Sequence, residues 1–278
     1  MTTITVIFTC FNRKEKTLQC IRSLSEGNKQ LAFSYVIVDD NSTDGTREAL
    51  EALKQEGTDL TLLSGTGSLF WAGGMRRGIA YAKEHTKTDY YLLVNDDVDF
   101  RPQVITEMVG AIQTGEKPYR NDCVLVGPMC DEAGNFSYGG IRYQKGIHYD
   151  EVKPQDADLS CDSFNMNCLL MPQEIFRKVP NFDEHYIHSL ADFDYGLSMK
   201  RLGIPVYVYN FYVGVCPDND PKGGWTDTSL TRRERLKKKE SIKGAPFAPW
   251  FYFLRKNFGL TQALFHGFTP YIRILFGK

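Results

Sequence analysis

The 278-residue chain predicts an α/β fold, a mostly parallel central sheet with helices on both faces. Three observations carry this. Apolar, β-branched runs alternate with amphipathic segments four times in the first hundred residues. A polar, acidic or glycine-rich segment follows each apolar run, at the strand ends where open α/β sheets bind ligands. The composition, 42% hydrophobic and 24% charged, is that of a globular chain able to bury a sizeable core.

Ile4 to Thr9 reads as the first buried strand. Arg13 to Ser25, with Leu18, Ile21 and Leu24 in helical spacing, reads as its helix. Tyr35 to Val38 is the second strand, and Asn41 to Gly45 is turn and cap chemistry, with Ser42 or Thr43 suited to cap the helix Thr46 to Gln55. Leu60 to Leu63 is the third strand, followed by a glycine-rich loop, Gly65 to Gly74, and a helix from about Met75 to Glu84. Tyr90 to Val94 is the fourth strand, and Pro102 sits where the next helix would begin.

The second half is less regular. Gly127 to Tyr149 suits hairpins, Ser163 to Met171 a strand, Pro172 to Lys178 a short helix, Ser189 to Leu202 a helix stopped by Gly203, and Pro205 to Tyr209 a strand. Pro217 to Thr228 reads as a loop open to motion, and Ser229 to Lys243 as a very basic helix. The expected organisation is a body, 1–228, in two halves, 1–100 and 101–228, followed by a basic, aromatic helical extension, 229–278.

Net charge is −1, so bulk charge names no partner, and no nucleic acid is expected. Its distribution is uneven. Of 33 basic and 34 acidic residues, 11 and 2 fall in 231–278, which leaves 22 and 32 in 1–230. A basic, aromatic tail on an acidic body suits an anionic membrane surface through 231–278, or a helix packed on the body or in a homodimer; the two readings weigh equally. No uncharged apolar run approaches the roughly 20 residues of a membrane span. The seven cysteines show no CxxC and match no zinc pattern, which favours free thiols in a reducing compartment. The expectation is a cytoplasmic protein, at most peripheral on the inner face of the membrane.

Four strand-end segments and one helix start could carry chemistry. Asn95-Asp96-Asp97 offers hard oxygen ligands for Mn2+ or Mg2+, which would neutralise a leaving diphosphate; the plainer reading is a capped turn. Asp39-Asp40 could accept a hydrogen bond from the N3–H of uracil or thymine. Thr9, Phe11 and Arg13 close the first strand, and Phe11 could stack on a base. Gly73, Gly74 and Arg76 end the glycine-rich loop, where backbone amides at a helix start favour phosphate. Asp192 opens a helix and could serve as a general base, with His185 and His188 close in sequence.

Taken in order, Val6 to Arg13, Val36 to Thr46, the Gly67–Gly78 loop, Leu92 to Val98, and Asp192-Phe193-Asp194 with Arg201-Leu202-Gly203 resemble family 2 inverting glycosyltransferases of the GT-A fold. The run Leu69 to Met75 is similar to bacterial members that build surface polysaccharides, rhamnosyltransferases among them. The resemblance implies a UDP- or dTDP-sugar donor and a glycan or lipid-linked acceptor, with 1–100 as the nucleotide-sugar-binding half and 101–228 as the acceptor and catalytic-base half. It implies that Thr9, Phe11 and Asp40, with Asp39 second, hold the base, that Asp97 binds metal with Asp96 beside it, and that Asp192 is the base. The chain departs from the pattern at Asn95, where a first carboxylate is common, at Ala191, where many members have Glu, and at Phe211 to Cys216, which lacks the histidine of many relatives. Two other readings remain. A sugar nucleotidyltransferase would usually carry a glycine-rich, basic signature after the first strand, which Thr9 to Arg13 lacks. A non-catalytic sugar-nucleotide or glycan-binding module is disfavoured by Asp97 and Asp192.

Overall fold

In the computed structural model, which describes residues 1–217 and 222–277, strand and helix alternate through the first hundred residues and into the next helix. These are β1 (Thr2–Cys10), α1 (Lys14–Gly27), β2 (Leu31–Asp39), α2 (Thr46–Gln55), β3 (Leu60–Ser64), α3 (Phe70–His85), β4 (Tyr90–Val94), a short β5 (Asp99–Phe100) and α4 (Val104–Thr114). Then come β6 (Val124–Val126), β7 (Met129–Cys130), β8 (Phe136–Tyr138), β9 (Gly140–Tyr143), β10 (Tyr149–Val152), β11 (Ser163–Phe164), β12 (Cys168–Pro172), α5 (Gln173–Lys178), α6 (Ala191–Arg201), β13 (Val206–Val208) and β14 (Gly214–Val215). The extension forms α7 (Arg232–Lys239), a 3-10 turn at Ile242–Gly244, α8 (Phe247–Phe258) and α9 (Leu260–Leu275).

The main sheet has the order β13-β6-β12-β4-β1-β2-β3. All neighbours pair in parallel except β12, which runs antiparallel to β4 and β6. β1 and β4 lie at its centre, and Ile4, Val6, Ile7, Phe8, Leu92 and Leu93 have no solvent exposure. This two-sided burial explains their continuous apolar runs. The parallel register brings the ends of β1 to β4, and so Phe11, Asp40, Gly65 and Asp97, to one sheet edge.

The fourfold alternation and the 127–149 hairpins stand as expected. Three expectations change. The predicted strand Ser163 to Met171 is two strands in two sheets, β11 and β12, because the chain turns at Asn165–Asn167, where the Asn167 amide donates to the Asn165 carbonyl. Neither Ser42 nor Thr43 caps α2. Gly45, with φ +84°, takes the cap position, and Asp44 accepts from the Thr46 amide and hydroxyl. The basic helix is shorter than Ser229 to Lys243, because Thr231 and Glu234 close a capping box at its start. Of the predicted loop Pro217 to Thr228, residues 218–221 lie outside the described residues.

The tail packs on the body. Lys256 pairs with Asp183 and Asp194 at 2.7 Å each, Asn257 donates to Asp194 at 2.9 Å, and Phe253 and Leu254 are buried. The salt bridges, with the Tyr252 hydroxyl, hold the Asp183 carboxyl well below its usual range against the opposing push of burial. Among the described residues, no helix is long and apolar enough to cross a membrane.

Candidate active site

The loops after β1 and β2 are sewn together. Asn12, at φ +51°, accepts from the Thr43 amide at 2.7 Å and donates its own amide to Ser42. Phe11, between them, is 51% exposed, unusual for a large apolar side chain next to a core strand. Thr9 is buried, and its hydroxyl donates to the Val38 carbonyl at 3.0 Å.

Both aspartates of the second strand end are buried and occupied. Asp39 accepts from the Ser42 amide and faces Arg47 at 3.6 Å. Asp40 accepts three backbone amides, from Gly67 at 2.8 Å and from Leu69 and Phe70 at 3.0 Å each. One carboxylate therefore gathers the glycine-rich loop and satisfies the donors at the start of α3, where the macrodipole also favours negative charge. Gly65 is required here, because a Cβ would lie 2.4 Å from the Asp40 Oδ1.

This arrangement moves the glycine-rich loop. The helix begins at Phe70, five residues before the expected Met75, since Asp40 supplies the cap. Gly73 and Gly74 therefore lie inside α3 and not in a phosphate-binding loop. The Gly73 amide is spent on the Leu69 carbonyl. Gly74 presses on β1, where a Cβ would stand 2.2 Å from the Thr9 hydroxyl. Arg76 is likewise directed elsewhere. It donates to the Tyr186 and Asp183 carbonyls, at 3.3 and 3.5 Å, and clips the segment that leads to α6.

Arg13 bridges the fourth strand end, reaching Asp97 at 2.6 Å and Asp96 at 3.3 Å. Asp96 is buried and also accepts from the Thr17 hydroxyl. Burial, with the neighbouring Asp97, pushes its carboxyl up to about 6 in spite of Arg13. Asn95, the departure from a first carboxylate, accepts from the Trp71 indole at 2.8 Å. Trp71 thus ties α3 to the acidic turn, a role that its place in the Leu69–Met75 run did not disclose.

Across the site, Asp192 stands in the first turn of α6. Its carboxylate accepts from the Phe193 amide at 2.9 Å, and among the described residues no side chain donates to it. Desolvation raises its carboxyl to about 6, with backbone donors pulling the other way. The rings of Tyr143, Tyr149 and Phe193 form a chain here, with centroids 5.8 and 6.0 Å apart, and the Asp192 charge raises the affinity of both tyrosines for their protons beyond the effect of burial. His188 lies nearby, with its Nδ1 buried and unpartnered. Burial, Lys243 and Arg13 all lower its proton affinity. His185 instead stacks on Tyr252 and bonds to Asp183, which makes it a tail contact.

Strained backbone gathers at the same place. Phe70 and Leu190 have φ of +51° and +74°, and Asn41 has +66°. Such non-glycine conformations cost about 1–3 kcal/mol each and persist where the surroundings enforce them, commonly at functional sites. Sequence pattern carries no signal for a left-handed leucine or phenylalanine.

A model of the family described as glycosyl transferase family 2 matches residues 5–169. The chain belongs to this family. Glycosyltransferases of the GT-A fold share its architecture. They include a mannosyltransferase from Pyrobaculum calidifontis in complex with GDP-Man and Mn2+, with a TM-score of 0.56 and 14% identity over 98% of this chain and 73% of that one. Another is S. aureus TarS 1–349 in complex with UDP-GlcNAc, with a TM-score of 0.58 and 14% identity over 99% and 80%. Identity this low speaks for the fold alone. No curated protein matches the sequence. In this family 2 glycosyltransferase, the candidate site comprises the strand-end loops and the start of α6, and the Ala72 amide of α3 donates to the Ile187 carbonyl of the segment that leads to α6.

Proposed function

We propose that the chain is an inverting glycosyltransferase. It moves a sugar from a UDP- or dTDP-sugar to a hydroxyl of a glycan or lipid-linked acceptor, in bacterial surface-polysaccharide synthesis of the rhamnosyltransferase kind. The observation that carries this reading is Asp192, a carboxylate with no side-chain donor, desolvated to about 6, in the first turn of α6. A base with that affinity is ionised at neutral pH and still takes a proton readily. Asp192 would accept the proton of the acceptor hydroxyl as its oxygen attacks the anomeric carbon. The bond from that carbon to the diphosphate oxygen breaks, and the electron pair leaves with the nucleoside diphosphate.

On the donor side, the exposed Phe11 ring would stack on the base, with Thr9, Asp39 and Asp40 at the pocket edge. Tyr143, Tyr149 and Phe193 offer apolar faces to an acceptor sugar. The neighbouring Asp96 and Asp97 suit Mn2+ or Mg2+, since they already hold a cationic group, Arg13, through carboxylate oxygens. Among the described residues, no cluster of three His, Cys, Asp or Glu could hold a metal by itself, so donor phosphates would complete the set. When bound, the ion would neutralise charge on the leaving diphosphate.

Thermal shift against UDP- and dTDP-sugars, with Mn2+, Mg2+ or EDTA, tests the donor half. A ligand that binds only the native state raises Tm by mass action. Stabilisation by one donor that needs the metal and is lost in Asp97→Ala is expected; no shift with any nucleotide sugar would move weight to a glycan-binding role.

A further inference from the structure

The last helix presents an apolar face that the described residues leave largely open, with the Phe247 ring meeting it at Phe268, centroids 5.3 Å apart. In α9, Leu260, Leu264, Phe268, Ile272 and Phe276, the residue that closes its end, recur every fourth position. Each is half exposed or more, and Phe265 beside them is 70% exposed. At 100° per residue this series sweeps one broad side of the helix. The adjoining side carries Ala263, Gly267, Pro270 and Ile274, all buried. The helix therefore already has its packing face, and the exposed stripe is additional to it.

A basic helix borders that stripe. α7 meets α9 at Tyr271, whose ring lies 5.5 Å from the Lys239 ammonium and whose hydroxyl bonds Glu240. Tyr271 is one position from Ile272 and one turn from Phe268. On the solvent side, α7 exposes Arg232, Arg233, Lys237 and Lys238, and none of them forms an ion pair among the described residues. The two acids of the segment are engaged within the chain: Glu234 closes the capping box and Glu240 holds Tyr271.

We propose that α9 and the exposed row of α7 dock together on a lipid surface bearing anionic headgroups, with α9 in the plane of the interface. An apolar stripe sinks into the acyl boundary while an adjoining basic row meets phosphates. A second copy of the chain fits less well. Two-fold pairing through α9 would bring two α7 rows of like charge together, and neither brings a free acid to offset them. Docking also has a consequence for the site. The Ser189 hydroxyl donates to the Lys243 carbonyl, so the turn between α7 and α8 is fastened to the segment that enters α6 and Asp192. The acceptor side of the site would then sit beside the membrane plane, where a lipid-linked acceptor is held. That last step rests on the proposed transferase reading; the docking itself does not.

Vesicle flotation of the full chain, without any sugar donor, tests the docking. Vesicles of phosphatidylcholine with phosphatidylglycerol should carry the protein at low salt, and phosphatidylcholine alone should bind at least roughly tenfold less. The pair Lys237→Glu with Lys238→Glu should weaken binding by roughly fivefold or more per charge. The triple change Phe265→Ser, Phe268→Ser and Phe276→Ser should abolish flotation with an unchanged circular dichroism spectrum. Absence of wild-type binding to anionic vesicles at low salt would overturn the proposal, as would binding that neither variant weakens. A dimer in solution that the triple variant dissolves, with no flotation of the wild type, would assign the face to a second copy and overturn it too. Failure of donor binding beside intact flotation would count against the transferase reading alone.

Discussion

At the strand ends, Asp40 holds three backbone amides, Asp39 a turn amide beside Arg47, and Asp96 and Asp97 share Arg13. On α6, Asp192 has backbone donors alone, the Phe193 amide among them, and an elevated proton affinity. Asp40 and Asp192 carry the same side chain in opposite conditions, while Asp96, pushed up to about 6 by burial, shares the raised proton affinity of Asp192. Satisfied carboxylates shape and stiffen a pocket. An under-satisfied, desolvated one is costly to keep, and that cost is reasonable where a proton must move.

Removing the Asp40 and the Asp192 carboxylates should therefore have opposite effects on stability. The largest change is expected for Asp40→Ala, which orphans three amides and frees the loop before α3. It should lower unfolding free energy by about 3 kcal/mol, read by chemical denaturation. Asp192→Asn should instead stabilise, by about 1–3 kcal/mol above pH 6. In the wild type, the folded state holds the Asp192 proton up to about 6, so stability from this group is full below the unfolded value and is lost as pH rises through 6. The gain of the variant should accordingly shrink on acidification and vanish near pH 4, as melting curves across pH would show. An equal destabilisation at both sites would break the contrast. The smallest effect is expected at the exposed ring: Phe11→Ala should weaken donor binding by about 1–2 kcal/mol, without loss of stability, in a calorimetric titration.

The first half of the fold was legible because strands buried on both faces leave unbroken apolar runs, such as Val6 to Phe8 and Tyr90 to Val94. The segments singled out at their ends do converge on one edge. What pattern could not show was which groups were already spoken for. Gly73 and Gly74 looked like a phosphate loop because glycine density is the same whether backbone must meet a ligand or another strand; contact with Thr9 decides it for Gly74. Arg76 looked free because its partners are carbonyls more than a hundred residues away. Asn165 to Asn167 breaks an apolar run without glycine or proline, so Ser163 to Met171 read as one strand. The basic tail was ambiguous because its charge permits either packing or a lipid surface, and the structure shows α8 on the body and a bare stripe on α9.

The central claim is that Asp192 is the base of a sugar transfer. Its most direct test is nucleoside diphosphate release by wild type and by Asp192→Asn, measured with the donor that stabilises the protein and a panel of glycan and lipid-linked acceptors. The account predicts acceptor-dependent release by the wild type, a loss of about 10²–10⁴-fold in kcat for the variant with donor affinity kept, and a wild-type rate that falls as pH drops below about 6. Undiminished turnover by Asp192→Asn, or release of pyrophosphate in place of a nucleoside diphosphate, would contradict it.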